Sequence, residues 1–234
     1  MHVSNVAGCR ATLSALCPLP SSLHLTLILS WKCGSGPGIT LKDPTVSDAI
    51  GSEVDFLWYD QEHSTMSPDA LQGHIYAAHG RGAPVIVRIA GPNVGYTTPP
   101  GVSQNWGQQI KQTLDAGADG IIVPQVRTVE EVECIVADCR YPTGPGRNAP
   151  FDRQRGGNPT AAPSTLKRGF GPGPPSNYGR IPLHEYLDEA DRNIFVCLMC
   201  ETAEMVDDID AIVGATGRPD LVEANVIGIL VNFG

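Results

Sequence analysis

No cluster of lysine and arginine appears anywhere in this chain. With 16 basic against 25 acidic residues, the formal net charge is -9. A chain this acidic is a poor partner for nucleic acid or an anionic membrane surface. Long apolar runs are also missing. The stretch from Leu23 to Trp31 is too short to cross a bilayer, and only Arg10 precedes it as positive charge. A secretory leader is therefore the weaker reading, and a cytoplasmic protein is expected. No Gly-x-Gly-x-x-Gly follows an apolar strand-like run, which argues against a dinucleotide-binding module. Finally, no disulfide framework is evident. The seven cysteines, at 9, 17, 33, 134, 139, 197 and 200, are odd in number and irregular in spacing. Cys197 and Cys200 have the separation of a redox or zinc pair. They lie within the apolar run from Ile194 to Cys200, where residues three apart face opposite sides of a strand. Both read as small buried hydrophobes.

What is present is a regular alternation of strand and helix signals after the flexible break Gly34–Gly38. Apolar runs at 54–59, 84–90, 121–126 and 194–200 read as buried parallel strands. Between them, Ser67-Pro68-Asp69 is a strong helix start, with a serine cap, proline in the first turn and an acid beside the helix dipole. Helices are expected over 70–79, 106–116, from Thr128 to about Cys139, and over 203–213. Thr128 and Glu131 have capping-box spacing. This alternation predicts right-handed βαβ units and a parallel sheet, either a (β/α) barrel or a doubly wound sheet. Residues 1–34 show no clear period and stay unassigned. Residues 35–234 form the α/β domain. A polar segment rich in glycine and proline, near 148–166, reads as a loop insertion.

The chemistry gathers where strands end. The run through Trp58 and Tyr59 stops at Asp60-Gln61-Glu62-His63, and in α/β proteins such strand ends carry function. A histidine beside carboxylates suits general acid/base work. Arg88 sits inside an apolar strand, where a guanidinium needs an anion, either a structural partner or a ligand. Glu201 ends another strand and precedes Thr202 as a helix cap; such a carboxylate suits a divalent cation or a cap. Arg168 and Gly169 belong to the segment Arg168-Gly169-Phe170-Gly171-Pro172, a glycine-rich loop with a basic residue that could wrap an anion or simply turn the chain.

Six segments in order resemble the HpcH/HpaI aldolase family. They are Asp55 to His63, Val85-Ile86-Val87-Arg88, Thr113 to Pro124, Arg140-Tyr141-Pro142, Arg168 to Pro172, and Glu201-Thr202. The resemblance implies a (β/α)8 TIM-barrel fold and a Mg2+ (or Mn2+ or Co2+) cofactor. It also implies carbon–carbon bond chemistry through the enolate of pyruvate, with pyruvate or oxaloacetate as the small keto acid substrate, in a homo-oligomer. Carried over by motif, His63 is the acid/base and Asp60 its partner. Arg88 stabilises the keto acid's oxyanion, Arg168 and Gly169 bind substrate, and Glu201 is a metal ligand. The chain departs from the family in three places. Met199 stands where the family has glutamine. Residues 148–166 interrupt a segment that is normally continuous. Nothing from Asp220 to Gly228 matches the family's second metal-binding aspartate, although Asp220 and Glu223 lie nearby. The expected barrel is therefore incomplete at its C-terminus, and the alternative function is a catalytically impaired relative serving as a binding or assembly subunit.

Overall fold

The computed structural model describes residues 35–92, 106–139, 175, 177–182, 185–186, 190, 193–216 and 227–231. The unassigned N-terminal segment, the insertion near 148–166, the loop holding Arg168 and Gly169, and Asp220 and Glu223 lie outside them.

Six parallel strands are described: β1 (Gly38–Ile39), β2 (Leu57–Asp60), β3 (Val85–Arg88), β4 (Gly120–Val123), β5 (Phe195–Cys200) and β6 (Ile227–Val231). The helices between them are α1 (Thr45–Ile50), α2 (Pro68–Gly80), α3 (Gly107–Ala116), α4 (Val129–Asp138), α5 (Ala203–Asp207) and α6 (Ile209–Thr216). The strands lie side by side in sequence order, each paired with its predecessor. That order separates the two topologies left open by the sequence. A doubly wound sheet reverses direction at a switch point. Here every crossover steps the same way, so with right-handed connections all helices fall on one face. This is the arrangement of a (β/α)8-type barrel.

Strand periodicity then sorts the side chains. Leu57, Tyr59, Val85 and Val87 pack with Leu71, Ile75 and Ala78 of α2. Ile121, Val123, Val196, Leu198 and Cys200 pack with Ile110, Leu114, Val132, Ile135, Met205 and Ile212. The alternate residues Trp58, Asp60, Ile86, Arg88, Ile122, Cys197 and Met199 face the other way. Ile86, Cys197 and Met199 are nonetheless buried, so the helix-free face is also covered, as the inside of a barrel is. Cys197 and Cys200 fall on opposite faces, as their strand spacing predicts. Near the N-terminal ends of the strands, glycines stand opposite large rings. A Cβ on Gly38 would come within 2.6 Å of the Trp58 ring, and one on Gly120 within 2.8 Å of Phe195.

Local signals set the helices. The Ser67 hydroxyl accepts from Ala70 N, and Pro68 opens α2. On its buried face α2 carries one polar residue, His74. Its Nδ1 lies 2.7 Å from the Ser47 hydroxyl, which is 2.8 Å from the Tyr59 hydroxyl. Burial pushes the Tyr59 hydroxyl up to about 12. Thr128 accepts from Glu131 N as expected, but the Glu131 carboxylate reaches Arg127, taking both its N–H and its guanidinium.

Three boundaries correct the sequence reading. The strand expected at 54–59 begins at Leu57, where its ladder with β3 starts opposite Val85. The strand expected at 121–126 stops at Val123, since Pro124 has no N–H to give a ladder. The helix expected over 203–213 breaks at Asp208 into α5 and α6.

Candidate active site

Parallel register brings Asp60 of β2 directly opposite Arg88 of β3. Both point to the barrel interior at the C-terminal ends of their strands. Arg88 donates Nε to Asp60 Oδ1 at 2.9 Å and Nη2 to Oδ2 at 2.5 Å. This fork-to-fork pair is nearly buried, at 16% and 6% side-chain exposure. Asp60 Oδ1 also accepts the backbone N–H groups of Glu62 and His63, at 2.9 and 3.2 Å, folding the chain over the strand end. The Ser64 hydroxyl donates to the Asp60 carbonyl and fixes the same turn. Burial works to raise the Asp60 pKa, but Arg88 and the two N–H groups prevail and hold it below the ordinary carboxylate range. Asp60 therefore meets the backbone of His63, not its ring. The carboxylate beside that ring is Glu62, with Oε2 3.7 Å from His63 Nε2. His63 itself is 65% exposed and open to solvent.

The Glu62 side chain is also little exposed, at 7%. Its Oε2 has no hydrogen bond; Arg88 Nη1 lies 3.4 Å away. Its Oε1 accepts from Gln125 Nε2 at 3.3 Å. Burial raises the Glu62 pKa, and the charge of Glu201 raises it further, against the opposing pull of Arg88, His63 and Gln125. Glu201 ends β5, and its Oε1 accepts the Gln125 backbone N–H at 2.7 Å. Next to it, Thr202 caps α5 and donates its hydroxyl to the Val126 carbonyl at 2.7 Å. The Trp58 ring lies under the Arg88 guanidinium, 5.8 Å from centroid to Cζ.

The rim thus gathers Asp60, Glu62, His63, Arg88 and Glu201 from three strand ends, while Arg168 and Gly169 lie outside the described residues. Sequence reasoning missed Gln125, although Pro124 already marks the end of the strand before it. These residues suit a hard divalent cation. The donors are carboxylate oxygens, one buried carboxylate atom has no hydrogen bond, and the three carboxylates outnumber the one guanidinium. Among the described residues no three histidine, cysteine or acidic side chains form a complete metal cage. Mg2+ commonly takes one or two carboxylates and fills its remaining positions with water and substrate oxygens.

The sequence matches the HpcH/HpaI aldolase/citrate lyase description over residues 41–228. The chain belongs to that family. Among similar proteins is a 4-hydroxy-2-oxovalerate aldolase of Rhodococcus jostii, 34% identical over 108 residues, which are 46% of this chain and 33% of the relative. A 4-hydroxy-2-oxovalerate aldolase of Novosphingobium aromaticivorans is 26% identical over 181 residues, 76% of this chain and 55% of that one. This chain therefore spans between a third and about half of the length of these curated relatives. A solved HpcH/HpaI family structure from Burkholderia cenocepacia superposes with a TM-score of 0.64 at 20% identity, covering 87% of this chain and 71% of the other. The likeness extends the HpcH/HpaI assignment to the fold. Among the described residues no helix is long and apolar enough to cross a membrane.

Proposed function

We propose that this chain is a divalent-metal-dependent carbon–carbon lyase of the aldolase type, acting through the enolate of pyruvate supplied by pyruvate or oxaloacetate. One observation carries the reading: the negative charge at the rim that Arg88 leaves uncompensated. Arg88 and Asp60 satisfy each other, while Glu62 and Glu201 face the same space through Gln125. Glu201 would hold the cation, Mg2+ or in its place Mn2+ or Co2+, with Glu62 across from it. When bound, the cation supplies Lewis-acid stabilisation of negative charge on the keto oxygen.

The chain's own residues do the rest. Asp60 locks Nε and Nη2 of the Arg88 guanidinium, so Nη1, 3.4 Å from Glu62 Oε2, is held in place as a fixed positive group for the developing oxyanion. Fixing that charge in advance removes the reorganisation that water would need. His63 stands at the mouth, where its ring carries the proton between substrate and solvent, and Glu62 lies beside it. Arg168 and Gly169 complete the substrate-binding set. A homo-oligomer is the expected assembly, with a small keto acid as the ligand.

The test is oxaloacetate decarboxylation and pyruvate-dependent aldol cleavage with Mg2+ or Mn2+. Turnover should disappear with chelator and return when the ion is restored. His63→Ala should lower it by about 100-fold or more. Activity that survives chelation, or is untouched in His63→Ala, overturns the mechanism.

A further inference from the structure

After Pro124 ends β4, Gln125 takes a φ of 59°, in the left-handed region that side chains other than glycine, asparagine and aspartate seldom adopt. Two hydrogen bonds leave this residue in different directions. Its backbone N–H goes to Glu201 Oε1 at 2.7 Å, and its side-chain Nε2 goes to Glu62 Oε1 at 3.3 Å. β4 borders β3 and β5 but not β2. The side-chain bond therefore passes over the end of β3 to reach the turn that follows β2.

Glu62 and Glu201 are both carboxylates, and Gln125 donates to each of them. Left without a link, two like charges at neighbouring loop ends separate. A neutral residue donating to both holds them together without cancelling either charge. The rest of the neighbourhood supports this clamp. The Thr202 hydroxyl bonds to the Val126 carbonyl at 2.7 Å, a second rung between the same two loops. Gly91 lies against the pair: a Cβ there would be 3.4 Å from Gln125 Nε2 and 3.6 Å from Glu62 Oε1. The Gly91 carbonyl is itself held by Gln109 Nε2 at 3.2 Å.

We propose that Gln125 is a positioning residue that fixes the spacing of Glu62 and Glu201, and so sets how tightly the chain binds a divalent cation. The proposal rests on the metal-dependent reading above and assigns a role to a residue outside the set named there. Its action runs through the two glutamates to which it donates.

The experiment is calorimetric titration of the full chain with Mn2+ alone. Gln125→Met keeps length and removes the donor. Gln125→Asn tolerates the left-handed backbone at least as well, but is one methylene too short to span to Glu62. Both should weaken Mn2+ binding by about tenfold, the scale typical of groups that orient metal ligands. In a Glu62→Met background, Gln125→Met should change the affinity by less than about twofold, because the partner it acts through is gone. A purely structural role would weaken binding equally in both backgrounds. Wild-type protein that binds Mn2+ while both Gln125 variants bind it just as tightly overturns the clamp and leaves the lyase reading standing. So does a loss that persists undiminished in the Glu62→Met background. Wild-type protein that takes up no Mn2+ overturns both.

Discussion

At the N-terminal ends of the strands, Asp119 sits between β3 and β4. Its Oδ2 accepts Val85 N and pairs with His79 Nε2, each at 2.8 Å, while its own N–H and carbonyl join the ladders to Val85 and Phe195. At the C-terminal ends, Asp60 pairs with Arg88 and gathers the N–H groups of the next two residues. The two aspartates do similar local work: each ties adjacent strands and orders a turn. What surrounds them differs. Asp119 is met by His79 and by the Val85 N–H. Around Asp60 stand two further carboxylates, and Oε2 of one of them, Glu62, is buried without a hydrogen bond, its contact with Arg88 Nη1 being a 3.4 Å ion pair. The lower rim is complete as folded. The upper rim gathers three carboxylates around one guanidinium.

The contrast breaks first at Glu201. Glu201→Gln should cut metal-dependent turnover by about 100-fold or more, while the urea midpoint of the metal-free protein stays put, because the side chain is exposed. Arg88→Met should be costly twice over. It removes the fixed oxyanion donor, and it leaves Asp60 buried and unpaired, a loss of about 3–5 kcal/mol. Adding Asp60→Asn should restore much of that stability in denaturant titrations and none of the turnover. At the lower rim, Asp119→Ala should cost about 1–3 kcal/mol for the orphaned Val85 N–H and the lost His79 contact. Steady-state assays should show kcat unchanged.

The smallest effect is pH-dependent. Burial alone would lower the His79 pKa, but the hydrogen bond and charge of Asp119 outweigh it and raise the value above the ordinary 6.5. The folded state therefore holds this proton more tightly than the unfolded chain does. The stabilisation is fully present below the ordinary value and is lost as pH rises through the folded one. His79→Gln should lower Tm most in acid solution, with the difference from wild type shrinking on the alkaline side. A constant difference across that range would rule out the charged pair.

Much of this was legible in the sequence, for reasons that differ from residue to residue. Asp60, Glu62 and His63 announced themselves because an apolar run cannot end in three ionisable groups without placing them at a strand end. Arg88 did so because a guanidinium in an apolar strand demands an anion, and its partner proved to be Asp60. The Ser67-Pro68-Asp69 helix start depended only on neighbours in sequence and appeared as read. The role of Gln125 depends on a backbone dihedral and on two partners far away in sequence, so no local pattern carries it. The break at Asp208 was hidden likewise: Asp207, Asp208 and Asp210 are polar on any helical face, and the apolar period runs on through them. The choice between barrel and doubly wound sheet was hidden as well, because strand order is a property of long-range pairing.

That strand order also bears on how the protein is made. Each strand hydrogen-bonds to the strand that precedes it in the chain. A nascent polypeptide leaving the ribosome can therefore add each βα unit to an edge that already exists, with no need to await downstream segments. Assembly in this manner keeps loop-closure entropy low at every addition. It also makes the long stretch between β4 and β5 the slowest interval of biogenesis, when β4 waits with its hydrogen-bonding edge uncovered.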